Sequence, residues 1–231
     1  MPVLLRSEPM AANDLFLRGL TALGLALDEH QVEQLCDYLT ELQKWNRSIN
    51  LVAKAEETTL IESHFLDSLT MTTLINKCPP PGLMDVGSGA GFPGVVLKIA
   101  CPDLMVNLVE PRQKRTSFLR QVVRSLNLQG ISILETRLEK DNDQLLEFKG
   151  STPIITSRAF ASIRKFLELA EPYCATPGKV ICMKGPKADE ELADWRKESP
   201  HSPFKLNEII KTALPFSGTP RKLLVFKRED P

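Results

Sequence analysis

The segment Asp85-Val86-Gly87-Ser88-Gly89-Ala90-Gly91-Phe92-Pro93-Gly94 constrains this chain more than any other stretch. The turn-like Pro79-Pro80-Pro81-Gly82 and the apolar pair Leu83-Met84 lead into it, and the largely apolar run Val95 to Ala100 follows. That order is strand, glycine-rich turn, helix start, the place where an open α/β sheet takes up nucleotide-like ligands. Glycines at alternate positions permit positive φ and remove the Cβ atoms that would hold a ligand off the backbone. Three alternating glycines with an acid exceed what a bare turn requires. The turn is expected to hold an adenosine-containing cofactor.

Two chemistries compete for it. Gly89-Ala90-Gly91-Phe92-Pro93-Gly94 satisfies the G-x-G-x-x-G register of dinucleotide sites, and Glu110 follows at about the ~20-residue spacing of a ribose-binding acid. Asp85 and Pro93 point elsewhere. A carboxylate before the first glycine opposes a pyrophosphate, yet suits a sulfonium cofactor with an amino-acid tail. Pro93 removes an N–H that a pyrophosphate-binding helix would offer. S-Adenosylmethionine is favoured, and a nicotinamide or flavin dinucleotide stays open.

With 231 residues, 42% of them hydrophobic, the chain can form one α/β domain with a small appendage and an ample core. Twenty-nine basic and 29 acidic residues cancel, so any polyanion site must be a local patch. Cys36, Cys78, Cys101, Cys174 and Cys182 are dispersed without a C-x-x-C pair, which suggests buried reduced thiols with neither zinc nor disulfides. Met1 to Met10 lacks an apolar signal core, and no run approaches the ~18 apolar residues of a membrane span. A cytoplasmic protein with no metal and no membrane partner is expected, acting as a monomer.

The first eighty residues read as helices. Asn13 or Asp14 is placed to cap a short one through Leu23. Asp28 with Gln31 makes a capping-box start for a longer one, with Val32, Leu35, Leu39 and Leu42 on one stripe. A third run, Leu60 to Ile75, ends before the prolines at 79–81. From there strand candidates (Leu83–Gly87, Met105–Glu110, Ile131–Glu135, Pro153–Ser157, Lys179–Met183) alternate with helical runs (Pro93–Ala100, Gln113–Leu126, Ile163–Tyr173, Ala188–Lys197). Such alternation implies a parallel sheet covered on both faces. Leu206–Ala213 and Lys222–Lys227, joined without a helix, read as a terminal antiparallel hairpin.

Glu110 closes the second strand at the end where ligands bind, and an acid there can accept both ribose hydroxyls. Asp85 is a candidate to position the turn or the cofactor's amino group. Arg112, Lys114, Arg115, Arg120 and Arg124 line the next helix, either as a solvated face or as phosphate contacts on the rim of the site. Lys179, Lys184 and Lys187 bracket the fifth strand, and Arg221, Lys222, Lys227 and Arg228 lie in the last hairpin. Arg158, in Ser157-Arg158-Ala159-Phe160, ends the fourth strand, where it can bind a cofactor carboxylate or a substrate phosphate. His64, with Asp67 and Ser68 at helical spacing, reads as a satisfied structural residue rather than a general base.

The combination of motifs resembles the RsmG (GidB) family, guanine-N7 methyltransferases of small-subunit (16S) ribosomal RNA. The likeness runs from about Val32 to the C-terminus. It rests on Lys44-Trp45-Asn46 with Asn50-Leu51, on His64-Phe65-Leu66-Asp67-Ser68, and on the glycine turn. It continues through Lys114-Arg115 with Phe118-Leu119-Arg120, Ser157-Arg158-Ala159-Phe160 and Lys184-Gly185. The sequence departs from the pattern at Val52, where threonine is usual, and at Pro220 and Lys222, which flank Arg221 in place of Glu and His.

The resemblance implies a class I S-adenosylmethionine-dependent methyltransferase: a Rossmann-like, mostly parallel seven-stranded α/β sheet with a C-terminal antiparallel hairpin, behind a small helical N-terminal region. Residues 1–12 would be a poorly specified extension, 13–78 the helical region and 79–231 the methyltransferase domain. The cofactor would lie against Asp85, Gly87, Gly89, Gly91 and Phe92, Glu110, the Leu138-Glu139 backbone and Arg158. Lys114, Arg115, Lys184, Lys187 and Arg221 would contact RNA, either 16S ribosomal RNA or a small ribosomal subunit particle. Guanine N7 carries an in-plane lone pair and no proton, so methylation is an in-line displacement without a general base. Arg158 and Lys184 are then catalytic candidates by positioning. A dinucleotide oxidoreductase and a non-catalytic RNA-binding protein remain the rival readings.

Overall fold

The computed structural model describes residues 11–75 and 82–229. Helices α1 (Ala12–Leu23) and α2 (Glu29–Asn46) begin the chain. Asp28 and Gln31 form the expected capping box, each side chain accepting the other's backbone N–H at 2.8 and 2.9 Å. The cap expected from Asn13 or Asp14 is not made: α1 already starts at Ala12, behind Ala11, with no side-chain cap.

The third helical run is also not one helix. It comprises α3 (Glu57–Leu60), a π-helical stretch Ile61–Leu66, α4 (Asp67–Leu69) and, past a turn, α5 (Thr72–Ile75). A π-segment inserts one residue per turn and re-aims the side chains around it, which is why such segments gather at functional sites. Glu62 braces this one, accepting the N–H groups of Phe216 and Ser217 from the distant hairpin turn.

Seven strands follow in the order β3-β2-β1-β4-β5-β7-β6. They are β1 (Leu83–Val86), β2 (Val106–Val109), β3 (Ile131–Leu134), β4 (Thr152–Arg158), β5 (Cys174–Lys184), β6 (Phe204–Ala213) and β7 (Pro220–Arg228). The first five are parallel, and the β6–β7 hairpin adds an antiparallel edge. Helices α6 (Gly94–Ala100), α7 (Gln113–Ser125), α8 (Ile163–Ala170) and α9 (Ala188–Glu198) join β1 to β2, β2 to β3, β4 to β5 and β5 to β6, and a 3₁₀ helix (Asp143–Phe148) lies between β3 and β4. Strand β5 starts five residues earlier than expected, because Cys174 pairs with Thr152 ahead of a register shift. The run Ala175-Thr176-Pro177-Gly178 reads locally as a turn, and tertiary pairing overrides it.

Side-chain alternation divides the core between the two faces of the sheet. Leu83, Leu108, Ile181, Leu223 and Val225 pack with the N-terminal helices, α6 and α7. Met84, Val86, Val180, Cys182, Leu224 and Phe226 pack with α8 and α9. The helical region therefore shares its core with the sheet. Leu35, Tyr38, Leu39 and Leu42 are buried on the α2 stripe, each worth about 1.5–3 kcal/mol of burial. Gln31 and Gln34 reach across to the end carbonyls of α6 and α7, with Gln31 Nε2 donating to Ile99 at 2.8 Å and Gln34 Nε2 to Leu126 at 3.0 Å. Cys174 and Cys182 are buried thiols, Cys36 and Cys101 are half-buried, and Cys78 with the prolines at 79–81 lies outside the described residues. Among the described residues no helix is long and apolar enough to cross a membrane.

Candidate cofactor and substrate cavities

The strand parity that buries Leu83 toward α6 sends Asp85 the same way. Its carboxylate lies beneath the glycine turn, fully buried, with Oδ2 accepting the Gly94 N–H at 2.9 Å. Burial pushes this carboxyl up to about 7, against the pull of the Gly94 N–H and the Arg158 charge. Gly87, Gly89 and Gly91 all have positive φ. A Cβ on Gly87 would lie 2.8 Å from Cδ2 of Phe160, and one on Gly91 only 2.6 Å from Oη of Tyr38. Tyr38 grips the turn from behind: its hydroxyl donates to the Ala90 carbonyl, and its ring stacks on Phe92 at 5.4 Å.

Two cavities open on the other side of this turn, at the carboxyl ends of the parallel strands. The first, about 610 Å³, runs from Gly87 past Glu110 to Leu138 and Glu139. Glu110 directly follows β2, its carboxylate accepting from Gly89 N at 3.0 Å and Arg112 N at 2.9 Å, with Arg115 Nη1 at 3.6 Å. Arg137 and Lys165 complete its polar wall.

The second cavity, about 830 Å³, shares Gly87, Arg115 and Phe160 with the first and extends toward the π-segment. Arg158 dominates it. Its Nη1 donates to the Ser63 carbonyl at 2.7 Å and lies 3.6 Å from Asp67 Oδ2; its Nη2 lies 2.8 Å from His64 Nδ1. The guanidinium also sits over the Phe92 ring, 5.2 Å from its centroid. Asp67 holds Arg221 as well, through Nε at 3.1 Å, so one buried carboxylate joins two arginines from different parts of the sheet. Burial pushes Asp67 up, and the two guanidiniums pull it back. His64 is pushed down to about 3 by burial and by the Arg158 charge, and its ring stacks on Phe92 at 5.1 Å. Lys184 donates to the Ala161 carbonyl at 2.7 Å and pairs with Glu191 at 2.8 Å. Asn46 shapes the loop above: its Oδ1 takes the N–H groups of Leu51 and Val52 at 2.8 and 3.0 Å, setting both residues on the cavity wall.

Residues 31–222 match the profile of the family described as rRNA small subunit methyltransferase G. The chain belongs to this family. A protein named ribosomal RNA small subunit methyltransferase G from Desulfotalea psychrophila is 40% identical over 91% of this chain and 95% of its own length. Its namesake from Lachnoclostridium phytofermentans is 37% identical over 95% and 90%. Among solved structures, a SAM-dependent methyltransferase from Aquifex aeolicus superposes with a TM-score of 0.57 over 82% of this chain and 98% of its own, at 13% identity. A ribosomal protein L11 methylase from Lactobacillus delbrueckii gives a TM-score of 0.54 over 78% and 82%, also at 13% identity. These two likenesses concern the fold, which is the class I methyltransferase architecture expected from the sequence.

Set in this family's fold, the candidate residues divide three ways. Gly87, Glu110, Leu138 and Glu139 line the first cavity; Gly87, Gly89, Phe92, Arg158, Lys184 and Arg221 line the second, and Arg115 lines both. Asp85 and Gly91 line neither. Of the two roles open to Asp85, its bond to Gly94 supports positioning of the turn, and Gly91 provides clearance for Tyr38. Lys114 and Lys187 are exposed and lie outside both cavities.

Asp67, Ser63, Tyr38, Arg137 and Lys165 were not singled out as site residues from the sequence, and His64 was assigned to structure rather than to the cavity wall. The one available signal was the His64–Asp67–Ser68 spacing, which did mark a polar face.

Proposed function

We propose that this chain transfers the methyl group of S-adenosyl-L-methionine to N7 of a guanine in small-subunit (16S) ribosomal RNA. One observation carries the reading: two cavities meet at Gly87 and Phe160, one walled by a strand-end acid and the other by ion-paired polar groups. The first suits a nucleoside. A carboxylate offers about four lone-pair directions; Gly89 and Arg112 occupy two at Glu110, which leaves capacity for two ribose hydroxyls. The Leu138-Glu139 wall suits the adenine, and the open backbone at Gly87 and Gly89 suits the amino-acid tail. When bound, S-adenosylmethionine supplies an electrophilic methyl group.

The side chains of the second cavity suit a base with no proton to give up. His64 is neutral through the physiological range and its Nδ1 is taken by Arg158, so it is not poised as a general base. Arg158 shares Asp67 with Arg221, and Lys184 pairs with Glu191. Each cation that lines the cavity therefore lies against an acid when it meets a guanine that becomes cationic on methylation. Arg158 and Lys184 act as positioning residues, holding the base in line with the methyl group; such alignment is where most of the acceleration comes from in a reaction without acid–base steps. A stacked guanine cannot enter so recessed a site, which favours a loop or splayed-out nucleotide. Exposed Lys114 and Lys187, with Arg115 and Arg221 nearer the cavities, offer phosphate contacts around it.

The dinucleotide reading is disfavoured because Asp85 already occupies the Gly94 N–H that a pyrophosphate at this helix start would need. Calorimetric titration tests the assignment. S-Adenosylhomocysteine should bind, and NAD and NADP should not. Comparable affinity for NAD would overturn it.

A further inference from the structure

We propose that His64 distinguishes guanine from adenine in the second cavity, its Nε2–H donating to the O6 oxygen beside the reacting N7. The inference rests on the methyltransferase reading above and names the base edge that this site accepts.

The tautomer follows from the geometry. A guanidinium has donors and no acceptor, so Arg158 Nη2 at 2.8 Å forces His64 Nδ1 to accept. The ring proton then sits on Nε2. Among the described residues Nε2 has no protein partner, yet it is not one of the buried, unpaired polar atoms. It is the accessible polar atom of a ring that lines the cavity. Stacking on Phe92, with ring centroids 5.1 Å apart and planes 25° apart, fixes the direction of that N–H.

The neighbouring donors, Arg158 and Lys184, hold protein partners as well as positioning the base. Arg158 serves the Ser63 carbonyl, Asp67 and His64, and Lys184 serves the Ala161 carbonyl and Glu191. His64 differs from both in carrying no charge. Burial and the adjacent guanidinium keep it neutral, so it can donate to a base edge without opposing the positive charge that methylation leaves on the ring. Guanine presents two adjacent acceptors on this edge, N7 and O6; adenine presents N7 beside an amino donor. A fixed N–H completes the first pattern. Against the second it sets donor facing donor in a recessed site.

The test measures single-turnover rates on small-subunit ribosomal RNA or particles carrying guanine, inosine, 2-aminopurine or adenine at the target position, with the methylated atom identified in each product. Inosine keeps O6, whereas 2-aminopurine keeps N7 and lacks O6. The wild-type protein should methylate inosine at the guanine rate and 2-aminopurine roughly 10- to 100-fold more slowly. His64→Phe keeps a ring over Phe92 and loses the donor. It should slow guanine by that same factor and leave 2-aminopurine at its wild-type rate.

Equal wild-type rates on guanine and 2-aminopurine overturn the proposal and need no variant to do so. Equal slowing of both bases by His64→Phe also overturns it, since that marks a merely structural role. Guanine methylated at N7 without discrimination removes only the role of His64. Absence of N7-methylguanine from the wild-type reaction removes the functional reading beneath it.

Discussion

Replacing Asp85 with Asn separates the order of the glycine turn from the charge beneath it. Asn keeps an oxygen for the Gly94 N–H and cannot ionise. Asp85 is fully buried, and its carboxyl is raised from an ordinary 3.8 to about 7, chiefly by burial. The folded state thus binds this proton more tightly than the unfolded state. The associated stability is fully present below about pH 4 and is lost as pH rises through about 7. A rise of about three units at 1.36 kcal/mol each corresponds to about 4 kcal/mol, of which about 3 kcal/mol falls between pH 5 and pH 8. His64 runs the other way. Its neutral form is favoured on folding, so its contribution grows as pH rises from about 3 toward the ordinary 6.5. A wild-type profile alone would superpose the two slopes, and the difference between wild type and Asp85→Asn removes the histidine. Urea unfolding of both proteins from pH 5 to pH 8 should show the variant gaining on the wild type by about 3 kcal/mol. A flat difference curve would refute the burial-driven rise assigned to this carboxyl.

Asp67→Ala strips the shared partner from Arg158 and Arg221 and should cost about 3 kcal/mol in urea unfolding; a loss under ~1 kcal/mol would mean that the bridge contributes no more than a surface pair. Gly87→Val places a branched side chain at positive φ, with its Cβ 2.8 Å from Phe160, a ring shared by both cavities. Calorimetry should find S-adenosylhomocysteine binding lost in a protein whose circular dichroism is unchanged, and retained affinity would contradict the placement of the cofactor. Because the net charge is zero, RNA affinity should depend on local cations. Lys114→Ala with Lys187→Ala should reduce the slope of log K against log salt by about 1.4 to 1.8 in filter binding, and an unchanged slope would move the RNA surface elsewhere.

What was legible in the sequence is what short-range physics encodes. The capping box at Asp28, the strand–turn–helix punctuation of the glycine segment and the helix-free link between the last two strands each fall within a few residues of chain. The π-segment was hidden because its apolar spacing matches an α-helix, and the bracing from Glu62 comes from a hairpin 154 residues away. The second cavity was hidden for the same reason. Arg158 was visible as a candidate, but its partners Ser63 and His64 are 95 and 94 residues distant, and Asp67 meets Arg221 across 154. Asp85 was legible as a residue that positions the turn or a cofactor amino group, and its bond to the Gly94 N–H supports the first of these, in keeping with the strand parity it shares with Leu83. Tyr38 is absent from the α2 stripe read from the sequence, yet its hydroxyl ties this helix to the turn carbonyl of Ala90.

The central claim is the reaction. Small-subunit ribosomal RNA from cells with and without this gene, digested and read by mass spectrometry with strand-cleavage mapping of N7-methylguanine, tests it most directly. The account predicts one guanine that carries an N7 methyl group only when the gene is present, and whose methylation is restored in vitro by the purified protein with S-adenosylmethionine. Identical methylation in the two RNAs, or a gene-dependent methyl group on any other atom, would contradict it.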